Sequence, residues 1–265
     1  MYLYSYLTVK SFVESCRSVV AEGNYNLQLL NLMYSVPEKE TDYGLSLLRR
    51  SIREYERAHS VDPEQSKKEM PFFRNNRRWL VGPEVEMYIR SFYESPELPH
   101  AYRECNEPLL RIAFDYSGLG DYCLSENLHL LRCKYEEEKN LQTFSVQMER
   151  EYSKFFFDDE HTGFTAGSRF FSLLCNACLE VRPPEFEAEK EWRMVRFCRP
   201  AEASYDFSAG GFYSFTSVSL PFSTVKRLKL MNWENDRKTF GVLAGFLQHI
   251  GSMPERLLEG LIEED

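Results

Sequence analysis

Glu189-Lys190-Glu191-Trp192-Arg193 is the segment of this 265-residue chain whose residue types and spacing best suit chemistry. Two carboxylates two residues apart, beside a tryptophan and an arginine, suit a site that manages a sugar or a cation. On a strand, residues two apart share a face, so both carboxylates would line one side with Arg193; on a helix they would diverge. The same residues also suit a charged strand entrance, with Glu189 and Lys190 on a solvated turn and Glu191 paired with Arg193. Trp192 reads as a core anchor.

Other candidates are sparser. Arg74-Asn75-Asn76-Arg77-Arg78-Trp79 offers guanidinium forks that match oxyanions, or else an exposed charged loop. Cys175 and Cys178, three apart in an apolar stretch, resemble half of a metal site. A tetrahedral zinc needs two further ligands at matched spacing. The chain has no second Cys-x-x-Cys and no His-x-x-x-His, so buried structural cysteines are expected and no metal is assigned. Of five histidines, His100 alone stands near another candidate, Ser91. No Walker loop, Gly-x-Gly-x-x-Gly or Gly-x-Ser-x-Gly occurs.

The elements that must position these residues follow from periodicity. Tyr2 to Tyr6 reads as a first strand, and Val9 to Val20 as a helix closed by Gly23-Asn24. Leu45, Leu48, Ile52 and Tyr55 place an amphipathic helix over 40–59, with Arg49, Arg50, Arg53, Glu54, Glu56 and Arg57 on a solvated face. Residues 60–84, with Pro63, Pro71 and Pro83, read as a long loop. Strands are expected at 85–92, 109–115, 128–135, 192–197, 212–220 and 225–231. Leu141, Phe144, Met148, Tyr152 and Phe155 keep helical spacing up to an acidic loop at Asp158-Asp159-Glu160. Residues 168–179 are apolar nearly all round, as a buried helix would be. Phe240, Leu243, Leu247 and Ile250 form a last stripe capped at Gly251. A capping box at Ser252 to Glu255 then starts a final helix. Strands and helices without strict alternation predict one α+β domain over 1–265, a mixed or antiparallel sheet flanked by helices.

Composition narrows the function classes. A formal net charge of -9 disfavours non-specific nucleic-acid binding, which needs a positive field. Seven irregularly spaced cysteines, with no signal-peptide pattern at the start, predict reduced thiols and a cytoplasmic location. No apolar run nears the ~18 residues of a membrane helix. The 16 tyrosines suit a Tyr-rich core or the edge of a groove.

Several segments, in order, resemble the bacterial domain-of-unknown-function family 2971. They are Leu3 to Phe12, Met33 to Glu40 with Tyr43-Gly44, Ser91-Phe92-Tyr93-Glu94-Ser95 with Tyr102, Ile112 to Asp115, Cys133-Lys134-Tyr135, Phe186-x-x-Glu189-Lys190-Glu191-Trp192-Arg193, and Phe246-Leu247 with Gly251. The Glu-x-Glu-Trp-Arg piece is the most specific. The family's Asn-Asp is replaced around Tyr34-Ser35-Val36, and its Gly-Pro stands here as Asn232 to Asn235. The resemblance implies a bacterial defence, toxin–antitoxin or stress-associated effector, phage defence included.

The order of parts is also similar to that of mono-ADP-ribosyltransferases, which use an early-strand Arg or His, a central-strand Ser and a later Glu-x-Glu. There a glutamate stabilises the cationic sugar formed as nicotinamide leaves, and a second carboxylate helps the acceptor. This resemblance implies Glu191 in the first role, Glu189 in the second and Ser91 bracing the glutamate. Arg193 or Arg74 would meet phosphate, and His100 would contact substrate. Ser5 stands on the first strand where Arg or His is wanted. NAD would be substrate rather than resident cofactor. The competing reading is a non-catalytic protein–protein interaction or scaffold protein, whose partner is another protein rather than a nucleotide ligand.

Overall fold

The computed structural model describes residues 1–16, 23–62, 85–156, 169–208, 211–231 and 237–249. In chain order the strands are β1 (Tyr2–Thr8), β2 (Asn24–Asn31), β3 (Glu86–Tyr93), β4 (Leu109–Asp115), β5 (His129–Arg132), β6 (Glu191–Cys198), β7 (Ser204–Ser208), β8 (Gly211–Pro221) and β9 (Val225–Leu230). The helices are α1 (Val9–Ser15), α2 (Leu32–Ser35), α3 (Glu38–Ala58), α4 (Tyr116–Ser125), α5 (Glu137–Phe156), α6 (Arg169–Leu179) and α7 (Arg237–His249). Short 3-10 turns cover His100–Tyr102 and Pro184–Glu189.

The strands form one antiparallel sheet in the order β7-β8-β2-β3-β1-β4-β9, with β6 and then β5 branching from β3. β3 is therefore the junction. One of its edges pairs with β6 along its full length, from Glu86↔Cys198 to Tyr93↔Glu191. Its other edge meets β2 at Tyr88 and Ile89, then β1 at Tyr93. Three strands thus share one partner, and the sheet splits between β1 and β2.

Period-2 alternation sends successive β3 side chains to opposite faces. Met87 and Ile89, with Val195 of β6, pack beneath α3, α5 and α6 in one apolar core. Tyr88 and Phe92 join the second core, formed with β1, β2, β4, β8, β9 and the helices α1, α4 and α7. The expected α+β class, a single domain with an antiparallel sheet flanked by helices, is the observed one.

Differences from the sequence reading have physical causes. β2 was not expected: it alternates half-buried and buried residues from Asn24 to Asn31, a pattern polar side chains obscured. α4 and β7 were also not expected. β5 is shorter than the expected strand: Cys133 still donates to the Glu191 carbonyl, but Lys134 turns to pair with Glu180 and Val181 beyond α6. Glu56 lies buried rather than on a solvated face, and the Tyr152 hydroxyl donates to it at 2.6 Å. Residues 63–84, the acidic loop at 158–160, and Ser252 to Glu255 lie outside the described residues, as do Ile250 and Gly251.

All seven cysteines are free thiols, and only Cys105 is exposed. Burial pushes the Cys16, Cys123 and Cys175 thiols up to about 12. Thiolate is the reactive form, so a native-state titration with a thiol reagent near pH 8 should show one fast cysteine per chain. The Cys105→Ser variant should abolish that phase. Two or more fast thiols would contradict the burial described here.

Candidate functional site

Glu191 opens β6, and alternation aims Glu191, Arg193 and Val195 at the helical face, opposite Tyr93, Ser91 and Ile89 of β3. Glu189 sits at the end of the 3-10 turn, one residue before Lys190, which adopts a left-handed φ of 46°. The two carboxylates therefore do not share a strand face by register. They converge because both reach one cation, Arg182: its Nη1 lies 2.7 Å from Glu189 Oε2 and 2.7 Å from Glu191 Oε2.

Arg182 is the centre that the sequence reading missed. It follows α6, and its backbone is held by Lys134, whose carbonyl accepts from the Arg182 amide at 3.1 Å. Its Nε and Nη2 donate in a fork to Glu40 of α3, at 2.9 and 3.1 Å. The Phe186 ring lies 4.3 Å from the guanidinium carbon. The available signal was an arginine standing alone between an apolar helix and Pro183-Pro184, where a charge needs a partner.

Glu191 is almost fully satisfied. Oε1 accepts from Ser91 Oγ at 2.5 Å and Arg193 Nε at 3.0 Å. Oε2 accepts from Arg193 Nη2 at 3.1 Å and the Cys133 thiol at 3.6 Å, besides the Arg182 contact. Arg193 is spent too: Nη1 donates to the Cys178 and Leu179 carbonyls and Nη2 reaches Glu40 Oε2 at 3.3 Å. Those carbonyls are orphaned by the end of α6, so the guanidinium caps that helix C-terminus. Burial pushes the Glu191 carboxyl up, but the Arg193 and Arg182 guanidiniums and the Ser91 hydroxyl outweigh it and hold it below the ordinary carboxylate range. Arg193 and Arg182 stay charged against their burial for the reciprocal reason. Three carboxylates (Glu40, Glu189 and Glu191) against two guanidiniums leave the cluster with one net negative charge.

A cleft of about 570 Å³ opens above this cluster. Ser91, Glu189, Glu191, Arg193 and His100 all line it, as do Tyr93 and Arg103. His100 is exposed on its 3-10 turn; its amide donates to Glu189 Oε1 at 2.8 Å, and its ring meets Phe186 edge-on at 6.1 Å. Arg103 is exposed and carries no ion pair among the described residues. Tyr93 is raised well above the ordinary phenol range, by burial first and then by the Glu191 charge, so it enters the cleft as a protonated donor.

Ser5 does not join the cleft. It is buried on the other side of β3, accepting from Arg90 Nε at 2.9 Å and donating to the Ser91 carbonyl at 3.3 Å. Ser5, a substrate-binding candidate by its place on the first strand, thus sits outside this cleft and bridges β1 to β3. Arg74 lies outside the described residues. Trp192 packs against the sheet core while its Nε1–H donates to Glu94 at 2.9 Å. Cys175 and Cys178 are buried in the helical-face core, and among the described residues no group of three or more His, Cys, Asp or Glu converges as a metal site would. No described helix is long and apolar enough to cross a membrane.

Fold and site together define a single α+β domain with a cleft floored by a buried ion cluster. No protein-family model matches the chain, and neither a curated protein nor a solved structure matches it.

Proposed function

We propose that this cleft takes the ribosyl part of NAD or a related nucleotide. The chain would act at the ribosyl bond, as a bacterial effector of the defence or toxin type related to family 2971. The observation that supports it is convergence: Ser91 and Glu191, 100 residues apart, are hydrogen-bonded at the floor of a cleft that Glu189, Arg193 and His100 also line. Its volume falls within the range of small-molecule sites, about 300–1,000 Å³.

The geometry redistributes the roles. A carboxylate that accepts from a serine, a thiol and two guanidiniums has little capacity left for a ribose hydroxyl, and two adjacent cations oppose a developing cationic sugar. Glu191 is therefore a positioning residue that holds Ser91 and Arg182. Glu189, with one amide and one guanidinium contact, keeps free lone pairs beside the cleft and becomes the carboxylate facing the cationic sugar. Arg103 takes the phosphate-meeting role, and Tyr93 donates to an acceptor on the ligand.

Incubation of the folded protein with labelled NAD and a cell lysate tests this. Nicotinamide release or label transfer is expected, falling about 100-fold in Glu189→Gln when both proteins are assayed well below the variant's melting temperature, which the loss of one Arg182 carboxylate should lower. Folded wild-type protein that yields neither product sinks the enzymatic reading. The saturation of Glu191 favours the second reading, a non-catalytic interaction protein, and that reading survives this negative result.

A further inference from the structure

Arg90 and Ser91 are successive residues of β3, so their side chains leave opposite faces of the sheet. Ser91 faces the cleft just described. Arg90 faces a separate pocket of about 420 Å³, in the wedge where β1 and β2 part. β1 is paired to β3 only at Tyr4↔Tyr93 and β2 only at Leu30 and Asn31, so Arg90, Ser91 and Phe92 have no strand partner on that edge. Arg90 closes the apex instead: Nε donates to Ser5 Oγ at 2.9 Å and Nη2 to the Tyr6 carbonyl at 2.6 Å. Its Nη1 is uncommitted and no carboxylate pairs with it among the described residues. It is also the only charged group among the described residues that line the pocket.

A second, independent observation comes from Tyr25. It lines the same pocket, is fully buried, and its hydroxyl has no partner in hydrogen-bond geometry among the described residues. The Ser15 hydroxyl is a hydrogen-bonding neighbour that slightly lowers the phenol, but it stops short of full bonding geometry. Burial raises the Tyr25 phenol above its ordinary range, so it remains a donor. A buried, unmade hydroxyl bond costs stability, and such groups are uncommon in folded chains. The remaining walls are aromatic: Tyr6, Tyr34, Tyr102, Phe212 and Tyr213 surround the opening.

We propose that this wedge is a binding site for a small planar anion, an aromatic or heteroaromatic ring carrying a phosphate or carboxylate. The anionic group would meet Arg90 Nη1, whose planar fork is already oriented by Ser5 and Tyr6. The ring would lie against the tyrosine walls, and an acceptor atom on the ligand would take the Tyr25 hydroxyl. The site is independent of the ribosyl reading of the opposite cleft.

Calorimetric titration of the full chain tests it, with a nucleoside monophosphate, an indole carboxylate and inorganic phosphate as separate probes. One of the two ring-bearing anions should bind, and the tighter one identifies whether phosphate or carboxylate is recognised. Tyr25→Phe should weaken that probe about 10-fold without lowering the melting temperature, since the hydroxyl makes no full hydrogen bond among the described residues. Arg90→Lys should weaken it by at least as much, and Glu189→Gln should leave it unchanged. The proposal is overturned if neither ring-bearing anion binds at millimolar concentration. It is equally overturned if inorganic phosphate binds as tightly as they do, or if Tyr25→Phe binds like the wild type.

Discussion

Glu191→Ala is expected to lower the free energy of unfolding by about 3–5 kcal/mol. The loss is not that of one ion pair. Truncation leaves Arg193 fully buried with both guanidinium faces committed to positions the carboxylate defined, and it strips Arg182 of one of its three carboxylates. An uncompensated buried charge costs more than the pair contributed, because desolvation has already been paid for by both partners. Ser91 also loses its acceptor. Chemical denaturation should show the fall directly, and it is large beside the ~5–15 kcal/mol by which an ordinary domain is stable. An unchanged midpoint would mean that the carboxylate is not paired as described.

The same residue carries a pH signature. Its folded pKa lies below its unfolded value, which is about 4.3 for a glutamate, so its stabilisation is fully present above that value. It is lost as pH falls through the depressed folded pKa. Wild-type stability should therefore drop steeply below about pH 4, and Glu191→Gln, already destabilised at pH 7, should show a shallower acid limb.

Gly44→Ala is the second substitution with a large expected effect, a destabilisation of about 2–3 kcal/mol. Gly44 lies within α3, where alanine would by itself favour the helix by about 1 kcal/mol. A Cβ at this position would fall 1.9 Å from the Ala177 carbonyl oxygen and 2.9 Å from its carbon. Both contacts are backbone atoms of α6, so no side chain can rotate away and the two helices must separate. That separation would loosen the Glu40 and Cys178 contacts of Arg182 and Arg193 as well. Gly120 of α4 meets nothing within 4 Å, and Gly120→Ala is the control: it should be neutral or stabilise by up to ~1 kcal/mol. Equal thermal shifts for the two variants would refute the close helix approach.

Much of the frame was legible in the sequence. Leu45, Leu48 and Ile52 are buried along α3, and Phe144, Met148, Tyr152 and Phe155 are buried along α5, as their spacing requires. β1, β3, β4, β6, β8 and β9 fall on segments rich in aromatic and aliphatic residues. β2 was hidden because Asn24, Asn26, Gln28 and Asn31 put amides on a strand that turn chemistry usually claims. For the site, strand alternation relates Glu191 to Arg193, but Glu189 lies off the strand and only Arg182 brings it back.

By itself the sequence determined the elements and their inward faces, because hydrophobic periodicity is a local property. It also marked Ser91 and Glu189-Lys190-Glu191-Trp192-Arg193 as the residues to watch. Only the tertiary structure decided what those residues do. Whether a carboxylate is free or spent depends on which cations reach it, and Arg182 reaches this one while also holding Glu40, 142 residues away in the chain. Whether a strand edge is paired or open depends on where neighbouring strands diverge, which left Ser5 as a bridge and gave Arg90 a pocket. Charge compensation and strand pairing are long-range, and no spacing within a single segment encodes them.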